Sequence, residues 1–213
     1  MSGWDLESID ALLTTTRSVR RRLRLDAPVD RSLVLECIEL ATQAPTAGGR
    51  QIWRWVVVEE QAQRRAIGDI YRAANTDYVA ELRKRGEAGD VHALRSWRSS
   101  SILTDHLGDV PILVVLAFER HEWWAHDAYG DASTYGSVYP AAWSFQLACR
   151  SRGLVTCSVT AHIQRAQAVS EALGLPPHFE HACLFAVAYP DRDDFQPAAR
   201  DPLSVVVAID RWG

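Results

Sequence analysis

A glycine-containing loop between a helix and a strand is the first candidate for a ligand site. Residues 41–59 read ATQAPTAGGRQIWRWVVVE, in which a helical segment ends at Pro45 and a β-branched run follows. Because Gly48 and Gly49 have no Cβ, a ligand can approach the main chain closely. The side chains of Thr46 and Gln51 offer hydrogen bonds that can orient a planar ligand. An ordinary helix-to-strand connection would have the same composition, so the loop alone leaves both interpretations open.

Five arginines within eight positions form the second candidate site. They are Arg17, Arg20, Arg21, Arg22 and Arg24. A guanidinium group pairs through two parallel hydrogen bonds with phosphate, and Ser18 adds a hydroxyl donor. The whole chain has a net charge of -4, so a local basic cluster is a stronger ligand signal here than in a basic protein. The cluster predicts an anion site built on Arg17 and one or two of Arg20 and Arg21; the alternative is a solvated basic turn.

Other kinds of chemistry lack their usual sequence patterns. The chain has no G-x-G-x-x-G, no P-loop and no G-x-S-x-G. His121 and His126 are five residues apart, whereas the zinc-binding helix of metalloproteases needs a spacing of four. We therefore expect no metal site, and we expect the surrounding segment, 119–134, to be an irregular excursion. Its Trp123 and Trp124 would be costly to expose without a role, so we expect them to shape the mouth of an active site.

Composition limits the class of protein. With 213 residues, 47% of them hydrophobic, the chain predicts a single domain over residues 1–213 with a substantial core. The acidic balance argues against nucleic-acid binding. The longest apolar run, 110–118, is too short for a membrane span, which needs about 20 residues. A polar start without a signal peptide and four isolated cysteines predict a reducing, cytoplasmic location.

Hydrophobic periodicity alternates between helical and extended patterns along the chain. Helices are predicted over 5–16, from Asp30 to about 44 with Asp30 as the N-cap, and over 62–85, 91–107, 135–150 and 166–173. Strands are predicted over 54–59, 110–118, 154–160 and 181–189. The last extended run, 204–209, has little core left to join, so we expect it to reach across to a second subunit.

Several separated motifs together resemble the FMN-dependent nitroreductase family. They are T-T-R-S-V-R-R at 15–21, A-P-T-x-x-x-x-Q-x-W-x-W-V-V-V from 44, D-V-P-I-L-V-V at 109–115, Y-G-S-V-Y-P-A-A-W-S-F-Q-L-A-C-R-S-R-G-L-V-T at 135–156, A-L-G-L-P at 172–176 and Y-P-D-x-x-D-F-Q-P-A-A-R-D-P-L at 189–203. They follow the family's order and cover nearly the whole chain. Each motif is weak by itself, whereas the ordered set is fairly specific.

The resemblance implies an α+β fold, in which a mostly antiparallel central sheet is wrapped by helices, and an intertwined homodimer with two FMN sites at its interface. The phosphate and ribityl end would be held by Arg17, Ser18, Val19, Arg20 and Arg21, with Arg200 closing on the phosphate. Pro45, Thr46, Gly49 and Gln51 would lie along the flavin from the other subunit. Pro140, Ala141 and the backbone of Gly153 and Leu154 would line the flavin ring near its redox edge.

The implied activity is hydride transfer from NAD(P)H through FMN to a nitroaromatic, quinone or enone. A flavin-dependent dehydrogenase or oxidase of a secondary metabolite is a second reading, and a non-catalytic flavin-binding protein is a third. The third reading depends on departures from the family pattern: Gly49 stands where Asn is usual, and Val155 stands where Gly is usual. Ile52 also replaces a usual Pro. No catalytic side chain is predicted, because the cofactor performs the hydride chemistry.

Overall fold

The computed structural model describes residues 3–212, and a four-stranded antiparallel sheet forms its centre. The strands are β1 (Trp53–Val58), β2 (Ile112–Glu119), β3 (Val155–Val159) and β4 (Phe179–Ala188), in the spatial order β1-β2-β4-β3. β2 is buried on both faces except at Glu119, which explains its continuous apolar sequence. The predicted α+β class with an antiparallel sheet is confirmed.

Seven helices surround the sheet. They are α1 (Leu6–Thr15), α2 (Arg31–Ala41), α3 (Gln61–Glu87), α4 (Val91–His106), α5 (Ala128–Ser151), α6 (Ala166–Leu173) and α7 (Leu203–Val206), as far as the described residues show. The side chains of Asp30, Asp90 and Asp127 accept hydrogen bonds from backbone amides at the starts of α2, α4 and α5. The N-cap predicted at Asp30 is thus confirmed.

The two faces of the sheet bury separate cores. One contains Phe118, Phe145 and Phe185 between the sheet and helices α2 and α5. The other contains Ile67, Leu103 and Leu184 between the sheet and helices α3 and α4. Since α3 and α4 follow each other between β1 and β2, they form one hairpin on this face, and α6 covers part of the same face through Val169.

Two sequence predictions were wrong in their extent. The segment 119–134 is irregular only up to Asp127, because Asp127 caps α5 and starts it seven residues before the predicted Tyr135. The run predicted as extended from Ser204 contains the one-turn helix α7, which buries none of its residues, and only Val207 beyond it returns to extended geometry. A β-branched sequence does not impose a strand when no partner strand lies beside it.

The segment between β4 and α7 is attached to the body through the side chain of Phe195. The guanidinium of Arg150 lies 4.9 Å from the centre of that ring, and the guanidinium of Arg22 lies 5.6 Å from it. Arg150 also pairs with Asp193 at 2.5 Å. These contacts hold the chain beside the arginine cluster of the N-terminal region. Within residues 3–212, no helix is both long and apolar enough to cross a membrane.

Candidate functional site

The arginine segment lies along the free edge of β3. The backbone amide of Val19 donates to the carbonyl of Thr156 at 2.9 Å, and the amide of Arg24 donates to the carbonyl of Tyr189 at the same distance. Ser18 and Thr156 form a one-residue parallel bridge. Since β3 is an edge strand, its unpaired groups are available to fix this segment. The sheet thus positions the predicted anion-binding arginines.

A cavity of about 510 Å³ opens on this segment. It is lined by Arg17, Ser18, Val19, Arg20, Arg21, Arg22, Arg95, Ser99, Asp194, Phe195 and Gln196. Asp194 is the one acidic side chain in that lining, and it is paired with Arg22. The cavity therefore carries a surplus of positive charge, and all five sequence-predicted residues from Arg17 to Arg21 face it together.

A second cavity of about 380 Å³ lies on the other side of Arg17 and contains Arg200. Arg17 lines both cavities, and its guanidinium donates to the carbonyl of Gln196. The Nε atom of Arg17 is buried and has no hydrogen-bond partner among residues 3–212. A buried guanidinium nitrogen without a partner is costly, which fits a site that binds an anion.

Gly153 and Leu154 lie close to the same arginines. Gly153 has φ 76°, a left-handed conformation that suits glycine. Leu154 is buried and lines a small cavity together with Arg17 and Val19. Val155 begins β3 opposite Ala188 in regular strand geometry. Val155 does not have a positive φ, so its β-branched side chain is not strained where the family usually has glycine.

A third cavity, of about 310 Å³, adjoins the first at Arg20. Its lining is polar and aromatic: Arg20, Tyr71, Asn75, Tyr78, Ser100, Ser158, Val159, Thr160, Ala161 and Gln164. The amide nitrogen of Asn75 donates to the hydroxyl of Thr104 at 2.7 Å, which fixes Asn75 inside the helical hairpin. Desolvation raises the pKa of Tyr71 to about 12, so its hydroxyl stays protonated and can donate a hydrogen bond.

The glycine loop packs on the first half of α5. The backbone amide of Ala47 donates to the hydroxyl of Ser137 at 3.0 Å. Gly48 and Gly49 have φ 64° and 67°, and a Cβ at either position would contact nothing within 4 Å. None of Pro45, Thr46, Gly49 and Gln51 lines the three cavities described above. One chain therefore does not bring this loop to the arginine cluster, as expected if the loop serves the site of a second subunit.

Pro140 and Ala141 occupy different environments. Ala141 is fully buried in the core between α5 and the sheet, so its side chain does not face a cavity. Pro140 is half-buried within α5 and cannot donate a backbone hydrogen bond to the carbonyl of Gly136. That carbonyl is consequently left available at the helix surface.

The tryptophan-rich segment lies over the glycine loop. The guanidinium of Arg50 is 5.2 Å from the centre of the Trp123 ring, and Trp123 is 73% exposed. His121 stacks edge-on against Trp123 with ring centres 4.6 Å apart. No group of three or more His, Cys, Asp or Glu in the described part of the chain could hold a metal ion.

A further cavity, of about 530 Å³, lies away from these sites, between the start of α2 and the turn before β2. Its arginine, Arg64, already donates to the carbonyl of Val110 at 2.6 Å. We place no site there, because its one cation is engaged in holding the fold.

Sequence reasoning missed the residues that the α3–α4 hairpin contributes. Tyr71 and Asn75 are four residues apart and share one face of α3, while Arg95 and Ser99 share one face of α4. A buried asparagine one turn after a tyrosine is an available signal, but it identifies a site only once the opposing helix is known.

This chain belongs to the nitroreductase family, whose family model matches residues 13–189. One relative, 5,6-dimethylbenzimidazole synthase of Rhodospirillum rubrum, is 26% identical over 86% of this chain and 82% of its own length. Another, iodotyrosine deiodinase 1 of Mus musculus, is 26% identical over 92% of this chain and 68% of its own length. Among solved structures, the FMN and NADPH-dependent nitroreductase NfnB from Sphigopyxis sp. strain HMH superimposes with a TM-score of 0.69 at 20% identity, covering 95% of this chain and 99% of that one.

Proposed function

We propose that this protein is an FMN-dependent oxidoreductase that transfers a hydride from NAD(P)H through FMN to a nitroaromatic, quinone or enone. The observation that carries the proposal is the arginine-lined cavity on the edge of β3, which joins a polar and aromatic cavity at Arg20. A cofactor that carries a phosphate group fits the arginine-lined cavity, and a reactant can lie in the polar one. NfnB, to which this chain is similar in structure, is an FMN and NADPH-dependent nitroreductase, which supports the same choice.

The phosphate and ribityl end of FMN would be held by Arg17, Ser18, Val19, Arg20 and Arg21, with Arg200 on the far side of Arg17. Several guanidinium groups are needed for a dianion, and the arginines of this segment supply them. The residues that the chain places around the two cavities are thus of the type that the cofactor requires.

The ring end would be completed by a second copy of the chain. Pro45, Thr46, Gly49 and Gln51 would come from that copy, because within one chain they lie apart from the arginines. Pro140 and the backbone of Gly153 and Leu154 would border the ring, and Ala141 would support that border from within the core. When bound, FMN supplies the hydride-accepting and hydride-donating ring.

The chain's own residues would position the reactants and exclude water. The Tyr71 hydroxyl, kept protonated by burial, would donate a hydrogen bond within the polar cavity. Thr160 and Gln164 offer further polar groups on the opposite wall. We assign no catalytic acid, base or nucleophile. We also propose a cytoplasmic, reducing location, because Cys37, Cys149, Cys157 and Cys183 are all buried free thiols.

A second candidate is a flavin-dependent dehydrogenase or oxidase of a secondary metabolite. The exposed Trp123 platform beside the glycine loop favours this candidate, since it offers a flat surface to a specific ring-shaped substrate. The two relatives reported above are a synthase and a deiodinase, so members similar to this chain are not all nitroreductases. Failure of NAD(P)H to bleach the bound flavin would favour this candidate over the first.

The phosphate assignment is tested by the double variant Arg17→Ala/Arg200→Ala. Each charge-assisted hydrogen bond is worth about 1.5–3 kcal/mol, so the variant should bind FMN at least about 100-fold more weakly while it stays folded. FMN affinity is measured by quenching of flavin fluorescence, and folding by circular dichroism. The matched control is Arg192→Ala, since Arg192 is exposed and lines none of these cavities. Full FMN occupancy in the folded double variant would refute the assignment.

The second subunit is supported by an exposed apolar C-terminal arm. Its side chains Leu203, Val205, Val206, Val207, Ile209 and Trp212 are each more than half exposed. A monomer rarely leaves so many large apolar side chains in water. At micromolar concentration, light scattering should therefore give twice the chain mass. A monomer that retains bound FMN would contradict the shared site.

A further inference from the structure

The arginine-lined cavity has a wall that the sequence motifs do not include. Arg95 and Ser99, one turn apart on α4, line the same cavity as Arg20 and Arg21, and the side chains of Arg21 and Arg95 are exposed. No carboxylate in residues 3–212 lies within 4 Å of the guanidinium groups of Arg20, Arg21 or Arg95 to form an ion pair, whereas Arg22 pairs with Asp194. Three guanidinium groups therefore remain without an anion in one cavity.

One phosphate does not account for all of this charge. A dianion that takes Arg17, Arg200 and one of the arginines at 20 and 21 still leaves two cations, one of which is Arg95. Like charges that line one cavity repel each other, although water weakens the repulsion, and an anion bound among them removes it. The cavity of about 510 Å³ has room for a second anionic group.

The position of the surplus charge indicates what carries the anion. Arg20 lines both the basic cavity and the polar, aromatic cavity that contains Tyr71 and Asn75. A molecule whose ring lies among those polar side chains can therefore reach Arg95 with a substituent. Long arginine side chains from two separate elements, the β3-edge segment and α4, would close around that substituent.

We propose that one of the two reactants carries an anionic group beyond the diphosphate common to NADH and NADPH, a carboxylate or a phosphate, and that Arg95 binds it together with whichever of Arg20 and Arg21 the FMN phosphate leaves free. The inference rests on the proposed FMN function and makes Arg95 a specificity-determining residue for that site. The group would come either from the 2′-phosphate of NADPH or from a carboxylate on the acceptor.

The test compares ligands that differ by one anionic group in the FMN-loaded protein. 4-Nitrobenzoate and nitrobenzene are titrated against the oxidised flavin spectrum, and NADPH and NADH are compared in anaerobic reduction. In at least one of the two pairs, the ligand with the additional anionic group should bind the wild-type protein at least about tenfold more tightly. This is the order expected of one charge-assisted hydrogen bond. Arg95→Ala should remove that preference, and Arg95→Lys should restore part of it.

The control variant is Arg98→Ala, because Arg98 is exposed on the same helix and lines neither cavity. It should keep the preference. FMN affinity, measured separately, should be unchanged in Arg95→Ala. Loss of FMN affinity in Arg95→Ala would make Arg95 a phosphate ligand and overturn the inference, as would the absence of any preference in both pairs. A wild-type protein that takes up no FMN would overturn the proposed function and this inference together.

Discussion

Protonation of the buried His162 should make stability depend on pH. His162 is fully buried in the turn that follows Thr160 and Ala161 in the polar cavity, and neither of its ring nitrogens has a hydrogen-bond partner among residues 3–212. Desolvation, and secondly the nearby His181, lower the pKa of His162 from 6.5 to about 3. The ring centres of the two histidines are 5.5 Å apart.

The direction in which stability changes with pH follows from whether the folded or the unfolded chain binds the proton. Below its ordinary pKa, His162 takes up a proton in the unfolded chain but not in the folded one, so acid favours unfolding. The free energy of unfolding should fall by about 1.4 kcal/mol per pH unit between that pKa and the lowered one. From about pH 7.5 to about pH 5.5, His162 alone therefore removes about 1.4 kcal/mol.

The measurement is urea unfolding of wild type and His162→Phe at both pH values, at one protein concentration and one FMN concentration. Phenylalanine has a similar shape and removes two unsatisfied nitrogens, so the variant should be no less stable at the higher pH. Its pH dependence should be smaller than that of wild type by about 1.4 kcal/mol. His92→Phe, at an exposed position, is the control. Equal pH dependence in wild type and His162→Phe would refute the reasoning.

Two further predictions concern stability, both read from urea unfolding. Gly68→Ala should cost about 1–3 kcal/mol, because a Cβ there would lie 2.6 Å from the backbone nitrogen of Gly108. Gly136→Ala, where a Cβ would contact nothing within 4 Å, should instead raise the free energy of unfolding by up to about 1 kcal/mol. Equal changes in the two variants would contradict the close packing at Gly68. Arg120→Met should cost about 1–3 kcal/mol, because it leaves the half-buried Glu180 without the guanidinium that lies 2.9 Å away; an unchanged midpoint would contradict this.

Much of the fold could be predicted from sequence because local patterns and burial agree. The β2 run is apolar on both faces because both faces are covered, and Asp30 caps α2 as its position before the helix indicates. The start of α5 was missed because polar residues from Ala128 to Thr134 hide the helical period, and the cap at Asp127 decides it. The C-terminal arm was misjudged because β-branched residues predict a strand only where a partner strand lies beside them.

The site was predictable where one short segment carries it and not where distant elements meet. The five residues from Arg17 to Arg21 line one cavity, and the anion site on them stays a prediction. Arg95 could not be found, because its approach to that cavity depends on how the α3–α4 hairpin packs on the sheet. The cavity that Arg17 and Arg200 share could not be predicted either, because it depends on the path of the chain around Phe195.

The most direct test of the proposed function is the visible absorption spectrum of the purified protein, with the released chromophore identified by mass. The account predicts a yellow protein that releases FMN, and anaerobic NAD(P)H should then bleach it. A colourless protein that also fails to take up added FMN would contradict the account, and the arginine-lined cavities would then need another anion as their ligand.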